Sequence, residues 1–408
     1  MQQTVSSSLL PLAEALAKIH QIVAPITATE IVPLNHAINR VIAQDVFSTI
    51  DVPGSDSSAM DGYALCFHRT ADHLQFEVIG EITAGMAASF SLNQGQAARI
   101  MTGAPLPPNT DAVVMQENVI ADDKVVELKS LPIRNANIRR SGADICRGET
   151  LLRPGERLTA ARLMLCASAG IDTVEVYKKI RVGIVSTGNE VIEPGTPLSQ
   201  GMLYDCNRIG IASLLQPLNV EVTDYGIVPD RLAALQTVFT QAESEVDVLI
   251  SSGGVSVGAA DLVKEALSQS GQIDFWKVAI KPGKPFALGR IGTLLFCGLP
   301  GNPVSAFVTA QKLVIPAIKQ LQHELMPHPI EGYFIHAKLM RDIDRQPGRQ
   351  EFLRANLSQN EQGELVVAPQ AKQSSAALQA LALANCYIVV PAEVSRIAAG
   401  NFVDVEPF

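Results

Sequence analysis

The chain has 408 residues, which is too many for one ordinary core, because domains commonly contain about 100–200 residues. Its composition, 47% hydrophobic and 18% charged, predicts a globular protein and excludes the disordered and fibrous classes. A net charge of −9 argues against nucleic acid or an anionic membrane as the main partner, but it allows a small anionic ligand in a local basic pocket.

The first segment is typical of an amphipathic helix, with Leu9, Leu12, Leu16, Ile19 and Val23 at helical spacing. Charged residues interrupt this segment, which is not the pattern of a signal peptide. No stretch offers the run of about 20 apolar residues that a membrane helix needs. The cysteines are scattered without a CxxC pair, which argues against a disulfide framework or a structural zinc site. These features predict a cytoplasmic protein.

The pattern of apolar residues divides the chain into regions. Short alternating runs separated by Gly, Pro and Asn predict a β-rich domain at residues 53–140. We interpret residues 1–52 and 141–178 as one discontinuous linking domain into which the β-rich domain is inserted. Residues 179–328 alternate strand-like and helical segments, which predicts a multidomain α/β protein whose parallel sheet is covered on both faces. Residues 329–408 return to short alternating runs and predict a small C-terminal β-barrel or sandwich.

Ligands of parallel sheets bind outside the carboxyl ends of the strands, so the loops there are the candidate site. The first is Thr187-Gly188-Asn189-Glu190, where a glycine permits close backbone approach and a carboxylate can bind a cation. An ordinary strand–helix turn is the alternative interpretation of this loop.

The second loop, residues 251–258, is rich in glycine and serine and precedes a predicted helix. Backbone N–H groups and the helix dipole favour an oxyanion there, so we predict an anionic or pterin-like ligand. Asp261 at the helix start is either a ligand-binding residue or a helix cap. The candidate binding residues of this loop are Ser251, Gly253, Gly254, Ser256 and Gly258.

The third and fourth loops add positive charge and another helix start. Lys277, Lys281, Lys284 and Arg290 lie in a segment without any acidic residue, and in a strand Lys277 and Lys281 would share one face. Pro285 stiffens this turn. A solvated, charged edge strand is the alternative. The last loop contains Pro300, Asn302 and Pro303 before a predicted helix.

Seven motifs occur in the order found in one family. They are SSAMDGYA (57–64), MTGAPLP (101–107), GADI (142–145), STGNE (186–190), SSGGVSVG (251–258), KPGKP (281–285) and GLPGNPVSA (298–306). Over essentially its whole length the chain resembles the MoeA family, the molybdopterin molybdenumtransferases, which includes the E domain of gephyrin and its plant counterparts. The resemblance implies an elongated homodimer of four-domain subunits with a MogA-like α/β molybdopterin-binding domain. The implied reaction inserts molybdenum from molybdate into adenylylated molybdopterin, with Mg²⁺-dependent loss of AMP.

The resemblance also implies roles for particular residues. Asp61, Thr102 and Asp144 would approach the active site from the partner subunit. Carboxylates around Mg²⁺ and the nucleotide phosphate would come from Glu190, Asp230 and Asp261. The anion site would be lined by Lys277, Lys281, Lys284 and Pro285, and Arg354 and Ser375 would reach in from the C-terminal domain.

Each of these assignments has a plain structural alternative. Asp61 and Thr102 are also typical turn residues before glycine, Asp230 is placed to cap a helix, and Arg354 could be an exposed strand charge.

The implied partners are small-molecule substrates, a second copy of the chain, the molybdopterin adenylyltransferase and molybdoenzyme-maturation proteins. Two other functions stay open on sequence alone. One is a molybdopterin adenylyltransferase-like enzyme, and the other is a non-catalytic scaffold of the gephyrin type.

Overall fold

The structure is a computed structural model that describes residues 9–67, 74–253, 263, 265, 266, 271–325 and 334–408, with only the backbone described for residues 271–275. Within these ranges, no helix combines the length and the apolar character that crossing a bilayer requires.

Both ends of the N-terminal region contribute to one small unit. Helix α1 covers Leu12–Ile22 and helix α2 covers Ala160–Ser168, with 3₁₀ turns at Leu34–His36 and Gln116–Asn118. The strands are β1 (Thr29–Pro33), β2 (Val46–Phe47), β3 (Ser57–Ser58), β4 (Gly62–Leu65), β5 (Gln75–Ile82), β6 (Gln96–Ile100), β7 (Ala112–Met115), β8 (Val119–Ala121), β9 (Val125–Leu128), β10 (Ile138–Arg139), β11 (Thr150–Leu152) and β12 (Thr173–Tyr177). Strand β1 pairs with β12 and β2 pairs with β11, so chain segments on either side of residues 53–140 fold against each other.

Residues between these segments form a separate sheet with the order β7-β4-β6-β5-β9-β8. Alternate residues of its strands are buried on opposite faces. Tyr63 and Leu65 lie in one apolar cluster, whereas Ala64 lies in a second. A period of two therefore places apolar residues on both sides of this sheet.

The α/β region contains β13 (Arg181–Thr187), β14 (Val191–Ile192), β15 (Leu203–Tyr204), β16 (Glu221–Val228), β17 (Val248–Ser252), β18 (Gly271–Lys277), β19 (Ile280–Lys281), β20 (Pro285–Ile291) and β21 (Leu294–Leu299). The helices whose bounds the structure describes are α3 (Asn207–Leu215), α4 (Leu232–Glu245), α5 (Pro303–Thr309) and α6 (Ile315–Leu321), with a 3₁₀ turn at Gln216–Leu218 and a π turn at Ala310–Val314 between α5 and α6. The main sheet has the order β16-β13-β17-β21-β20-β18.

The central strands of this sheet are buried along nearly their whole length, because both faces of the sheet are covered. Ile184 and Ile250 pack into one cluster, and Val185 and Leu249 pack into another on the opposite face. The predicted α/β fold is confirmed. The predicted parallel sheet is confirmed for β16, β13, β17 and β21. Strands β20 and β18 extend this sheet as antiparallel neighbours of β21 and of each other.

The C-terminal region contains β22 (Ile335–Leu339), β23 (Ile343–Asp344), β24 (Gln350–Gln359), β25 (Leu365–Pro369), β26 (Cys386–Val390), β27 (Arg396–Ile397) and β28 (Phe402–Pro407), with helix α7 at Leu378–Ala382. Strands β24-β25-β22-β28-β26 follow in order, and β26 pairs back with β24. The sheet is therefore closed, as the β-barrel prediction requires. Leu353, Val367 and Ile388 are among the residues that fill its interior.

We expect Gly62→Ala to lower the free energy of unfolding by about 3 kcal/mol, because a Cβ at Gly62 would lie 1.9 Å from the backbone oxygen of Val114 in the neighbouring strand. Calorimetric unfolding measures this. Gly210→Ala is the control, since Gly210 lies in α3 with open space around its Cβ position. It should be neutral or more stable by up to about 1 kcal/mol. Equal behaviour of the two variants would contradict the packing argument.

Candidate active site at the carboxyl edge of the alpha/beta sheet

The loops that follow the parallel strands meet at one sheet edge. Ser186 of β13 lies opposite Ser252 of β17, and Ser252 lies opposite Leu299 of β21. Thr187 lies opposite Val228 at the end of β16. Parallel register therefore brings the segments after residues 187, 228, 252 and 299 together, as the sequence predicted for strands of this kind.

Gly253 allows two of these loops to touch. Its φ is +90°, and a Cβ there would lie 2.5 Å from the backbone oxygen of Thr187. Its N–H donates to the backbone oxygen of Leu299 at 3.2 Å. Only glycine fits this position, because any larger residue would separate the loops that build the edge.

Two buried hydroxyl groups lie at the same edge. Thr187 and Ser251 are 5% and 0% exposed, and their side-chain oxygens have no hydrogen-bond partner in the described part of the chain. Val185 pairs with Ser251 of the neighbouring strand, so these two side chains are on the same face of the sheet. Thr187 lies two residues after Val185 in its own strand and is on that face as well. The hydroxyls of Thr187 and Ser251 are therefore on one face. Such groups have hydrogen-bonding capacity that a bound ligand can satisfy.

Asn207 ties two of the loops together and was missed by the sequence analysis. Its side-chain N–H₂ donates to Ser252 Oγ at 2.7 Å and to the backbone oxygen of Gly301 at 2.8 Å. The sequence feature that could have indicated this role is the polar cluster from Asp205 to Arg208 at the start of a predicted helix.

Arg208 fixes the start of helix α3, and so the position of Asn207. Its guanidinium pairs with Asp205 at 2.5 Å and with Asp224 at 2.6 Å, and it also reaches Glu193. Burial alone would lower the pKa of Arg208, but these carboxylates raise it above its ordinary value. Asp205 also accepts from the N–H of Asn207 at 3.0 Å, so a buried carboxylate caps this helix.

A pair of carboxylates lies where β13 and β16 end. Burial raises the pKa of Asp230, and the charge of Glu190 raises it further. The backbone N–H of Asp230 donates to Asn189 Oδ1 at 3.2 Å. Helix α4 starts at Leu232 after Arg231, and in the described part of the chain no helix N–H donates to the Asp230 carboxylate, so the alternative that Asp230 caps this helix is wrong.

The lysine segment runs between two sheets. Lys277 ends β18, Lys281 lies in β19 and Pro285 begins β20. The expectation that Lys277 and Lys281 share one strand face is therefore wrong, because β19 leaves the main sheet and pairs with β24 of the barrel. Lys277 and Lys284 are exposed, and Lys281 Nζ lies 2.7 Å from Glu351 Oε1.

Gly283 packs the lysine segment against helix α5. Its φ is +98°, and a Cβ there would lie 2.4 Å from Thr309 Oγ1. Helix α5 begins at Pro303, directly after the exposed Asn302, and Pro300 of the same loop is buried. The lysine segment therefore packs against helix α5, and the loop of Pro300 and Asn302 leads into the same helix.

The C-terminal domain reaches this helix through residues 372–375. Arg354 is only 1% exposed, and its Nη2 donates to the backbone oxygen of Ser374 at 3.0 Å. Burial lowers its pKa. The backbone oxygen of Ser375 accepts from the N–H of Val304 at 3.1 Å. The exposed-strand alternative for Arg354 is wrong, since its guanidinium holds the loop that touches α5.

The remaining predicted residues lie elsewhere. Asp61 Oδ1 accepts from both the N–H and the hydroxyl of Thr102, each at 2.7 Å. Asp144 is exposed, and its N–H donates to Val52. Across the described ranges, no hydrogen bond or ion pair joins these three residues to the sheet edge. Four predicted residues, Gly254, Ser256, Gly258 and Asp261, lie outside the described residues.

The domain architecture matches three family models. Residues 10–170 match the MoeA N-terminal region (domain I and II), residues 183–320 match a probable molybdopterin binding domain, and residues 336–408 match the MoeA C-terminal region (domain IV). The fold and the site thus define a multidomain protein with an α/β molybdopterin-binding domain.

Similar proteins cover the whole chain. It is 42% identical to a molybdopterin molybdenumtransferase of Haemophilus influenzae, over 98% of this chain and 99% of that protein. It is 35% identical to the protein of the same name from Synechococcus elongatus, over 93% and 94%. The crystal structure of the molybdopterin biosynthesis MoeA protein from Pyrococcus horikoshii OT3 superposes with a TM-score of 0.82 at 28% identity, over 98% and 100%. The chain belongs to the MoeA family.

We expect Thr102→Val to raise the pKa of Asp61 part of the way towards its ordinary value. The backbone N–H of residue 102 is the larger cause of the lowered pKa and is retained, whereas the hydroxyl is lost. Because the folded-state pKa lies below the ordinary 3.8, the ionised carboxylate stabilises the fold above that pH, and this contribution is lost as the pH falls through the folded-state pKa. An NMR titration of the carboxyl carbons measures the shift. Thr102→Ser is the control, and an unchanged pKa in Thr102→Val would contradict the assignment.

We expect Arg208→Met to lower the free energy of unfolding by about 3 kcal/mol or more, because Asp205 would be left as an unpaired buried carboxylate. The fluorescence of Trp276, the single tryptophan, monitors urea unfolding of this region. Arg181→Met is the control, since its pair with Asp247 is largely exposed and should contribute less than about 1 kcal/mol. A similar decrease in the free energy of unfolding in both variants would contradict a larger contribution from the buried ion pairs of Arg208.

Proposed function

We propose that this protein is a molybdopterin molybdenumtransferase of molybdenum cofactor biosynthesis, which uses molybdate and adenylylated molybdopterin and releases AMP in a Mg²⁺-dependent step. Curated relatives of this name match the chain over nearly its whole length. The observation that carries the proposal is the sheet edge itself, where the loops of Glu190 and Asp230 meet after β13 and β16 and a lysine segment packs on helix α5.

Glu190 and Asp230 fit a magnesium ion. Burial and the charge of Glu190 raise the pKa of Asp230, and a bound cation would favour its ionised form. Mg²⁺ commonly binds one or two carboxylates together with substrate phosphate. Asp261 is the proposed third carboxylate. In the described residues no group of three His, Cys, Asp or Glu side chains could hold a metal, so the proposal needs oxygen atoms from the substrate or from Asp261. The bound ion would neutralise negative charge on the departing AMP.

The lysine segment fits the anionic substrates. Molybdate and a phosphoanhydride repel each other, so fixed cations are needed to hold them together. Lys277, Lys281 and Lys284 would supply this charge. The unpaired hydroxyls of Thr187 and Ser251 would donate to substrate oxygen atoms, and Asn207 keeps the surrounding loops in register. Orientation and charge neutralisation are sufficient for this reaction, so no covalent nucleophile is proposed.

A second subunit would complete the site. Asp61, Thr102 and Asp144 have no bond to the sheet edge of their own chain within the described ranges, which supports approach from a partner in a homodimer. Mixing two singly inactive variants, one at Asp61 and one at the sheet edge, tests this through restored activity. The domain boundaries at residues 52, 140, 178 and 328, a cytoplasmic location and contacts with the adenylyltransferase and maturation proteins are part of the same proposal.

The direct test is AMP release. Purified protein with Mg²⁺ and molybdate should release AMP from adenylylated molybdopterin, and Lys277→Ala with Lys284→Ala should reduce the rate at least tenfold by removing two exposed cations. Lys124→Ala removes an exposed lysine from a turn of the inserted sheet and should leave the rate unchanged. Absence of molybdate-dependent AMP release by the wild-type protein would overturn the function.

We expect Glu190→Gln and Asp230→Asn each to weaken Mg²⁺ binding at least fivefold in isothermal titration calorimetry, because each removes a charged oxygen ligand. Asp247→Asn is the matched control. Asp247 precedes β17 at the opposite edge of the sheet, where it pairs with Arg181. If all three variants bind Mg²⁺ as the wild type does, the metal assignment is wrong.

A further inference from the structure

Lys281 is held across the boundary between the α/β sheet and the barrel. Strand β19 pairs in parallel with β24, which places Lys281 directly opposite Glu351. Lys281 Nζ lies 2.7 Å from Glu351 Oε1, and Glu351 is 3% exposed. A backbone bond from Gln350 to Ala279 at 2.8 Å fixes the same register. The ammonium therefore has a defined position before any ligand arrives.

The charge of Glu351 is balanced from its other side. Arg345 Nε lies 2.9 Å from Glu351 Oε2, and both side chains are 4% exposed. The contact is an ion pair without hydrogen-bond geometry, so it balances charge and leaves both atoms without a hydrogen bond among the residues that the structure describes. Arg345 also donates to the backbone oxygen of Pro391 at 2.7 Å, so its guanidinium is fixed within the barrel. One buried carboxylate thus lies between two cations, and the cluster of three groups keeps one net positive charge.

Lys281 is oriented by this contact and is still available to a ligand. An ammonium group has three N–H donors, and the ion pair with Glu351 Oε1 engages only one side of it. The side chain is 44% exposed, so the other donors face accessible space. We propose that Glu351 is a positioning residue that aims the ammonium of Lys281 at molybdate. This inference rests on the proposed function of the same site.

A second lysine–glutamate pair joins the same two domains and provides a matched control. Lys312, in the π turn, pairs with Glu406 of β28 and lies over the rings of Phe352 and Tyr387. This pair is also largely buried, but Lys312 is not part of the lysine segment. Loss of Glu406 should therefore affect domain docking without affecting an anion at Lys281.

The test compares Glu351→Gln with Glu406→Gln. We expect Glu351→Gln to raise the KM for molybdate about tenfold, because Lys281 loses a charge-assisted partner and faces Arg345 without compensation. The KM for adenylylated molybdopterin should change less than twofold, and molybdate binding measured by calorimetry should weaken by the same factor as its KM rises. Glu406→Gln should lower the Tm without changing the KM for molybdate.

Glu351→Asp retains the charge at a shorter reach and should give an intermediate KM for molybdate, which a merely structural role does not predict. It also serves as the test variant if Glu351→Gln does not fold. If the wild-type enzyme is active and either Glu351 variant has the same KM for molybdate as Glu406→Gln, the positioning role is wrong. An inactive wild-type enzyme instead overturns the proposed function.

Discussion

The segment from Lys277 to Pro285 is shared between two sheets, and the candidate site depends on that constraint. It leaves the main sheet at the end of β18, pairs with the barrel through β19 and returns as β20. A chain that belongs to both sheets fixes the barrel against the α/β domain. It also fixes its own lysines, since Gly283 packs on Thr309 and Lys281 lies against Glu351. The cationic part of the site is thus built by the docking of two domains.

The anionic part of the site has a different origin. Parallel register places Glu190 and Asp230 just after the ends of adjacent strands, and burial, followed by the charge of Glu190, raises the pKa of Asp230. Opposite charges are therefore supplied by different elements, the carboxylates by the sheet edge and the lysines by the domain junction. The net charge of −9 describes the whole surface and is compatible with a basic segment that contains no acidic residue.

Much of the fold could be predicted because local patterns determine it. Continuous apolar runs marked β13, β17 and β21, and glycine and proline marked the loops after them. The separation of Lys277 from Lys281 could not be predicted, since pairing between β19 and β24 joins residues about 70 positions apart, and period-two patterns carry no such information. The burial of Arg354 and the bridging role of Asn207 were missed for the same reason, because both depend on backbone oxygens supplied by distant loops.

A crystal structure of the protein with molybdate and Mg²⁺, analysed by anomalous scattering at the molybdenum edge, would locate molybdate relative to the lysine segment. We expect a molybdenum peak within hydrogen-bonding reach of Lys281 Nζ, with the Lys281–Glu351 pair retained. A molybdate site away from the lysine segment, in a structure that retains the Lys281–Glu351 pair, would contradict it.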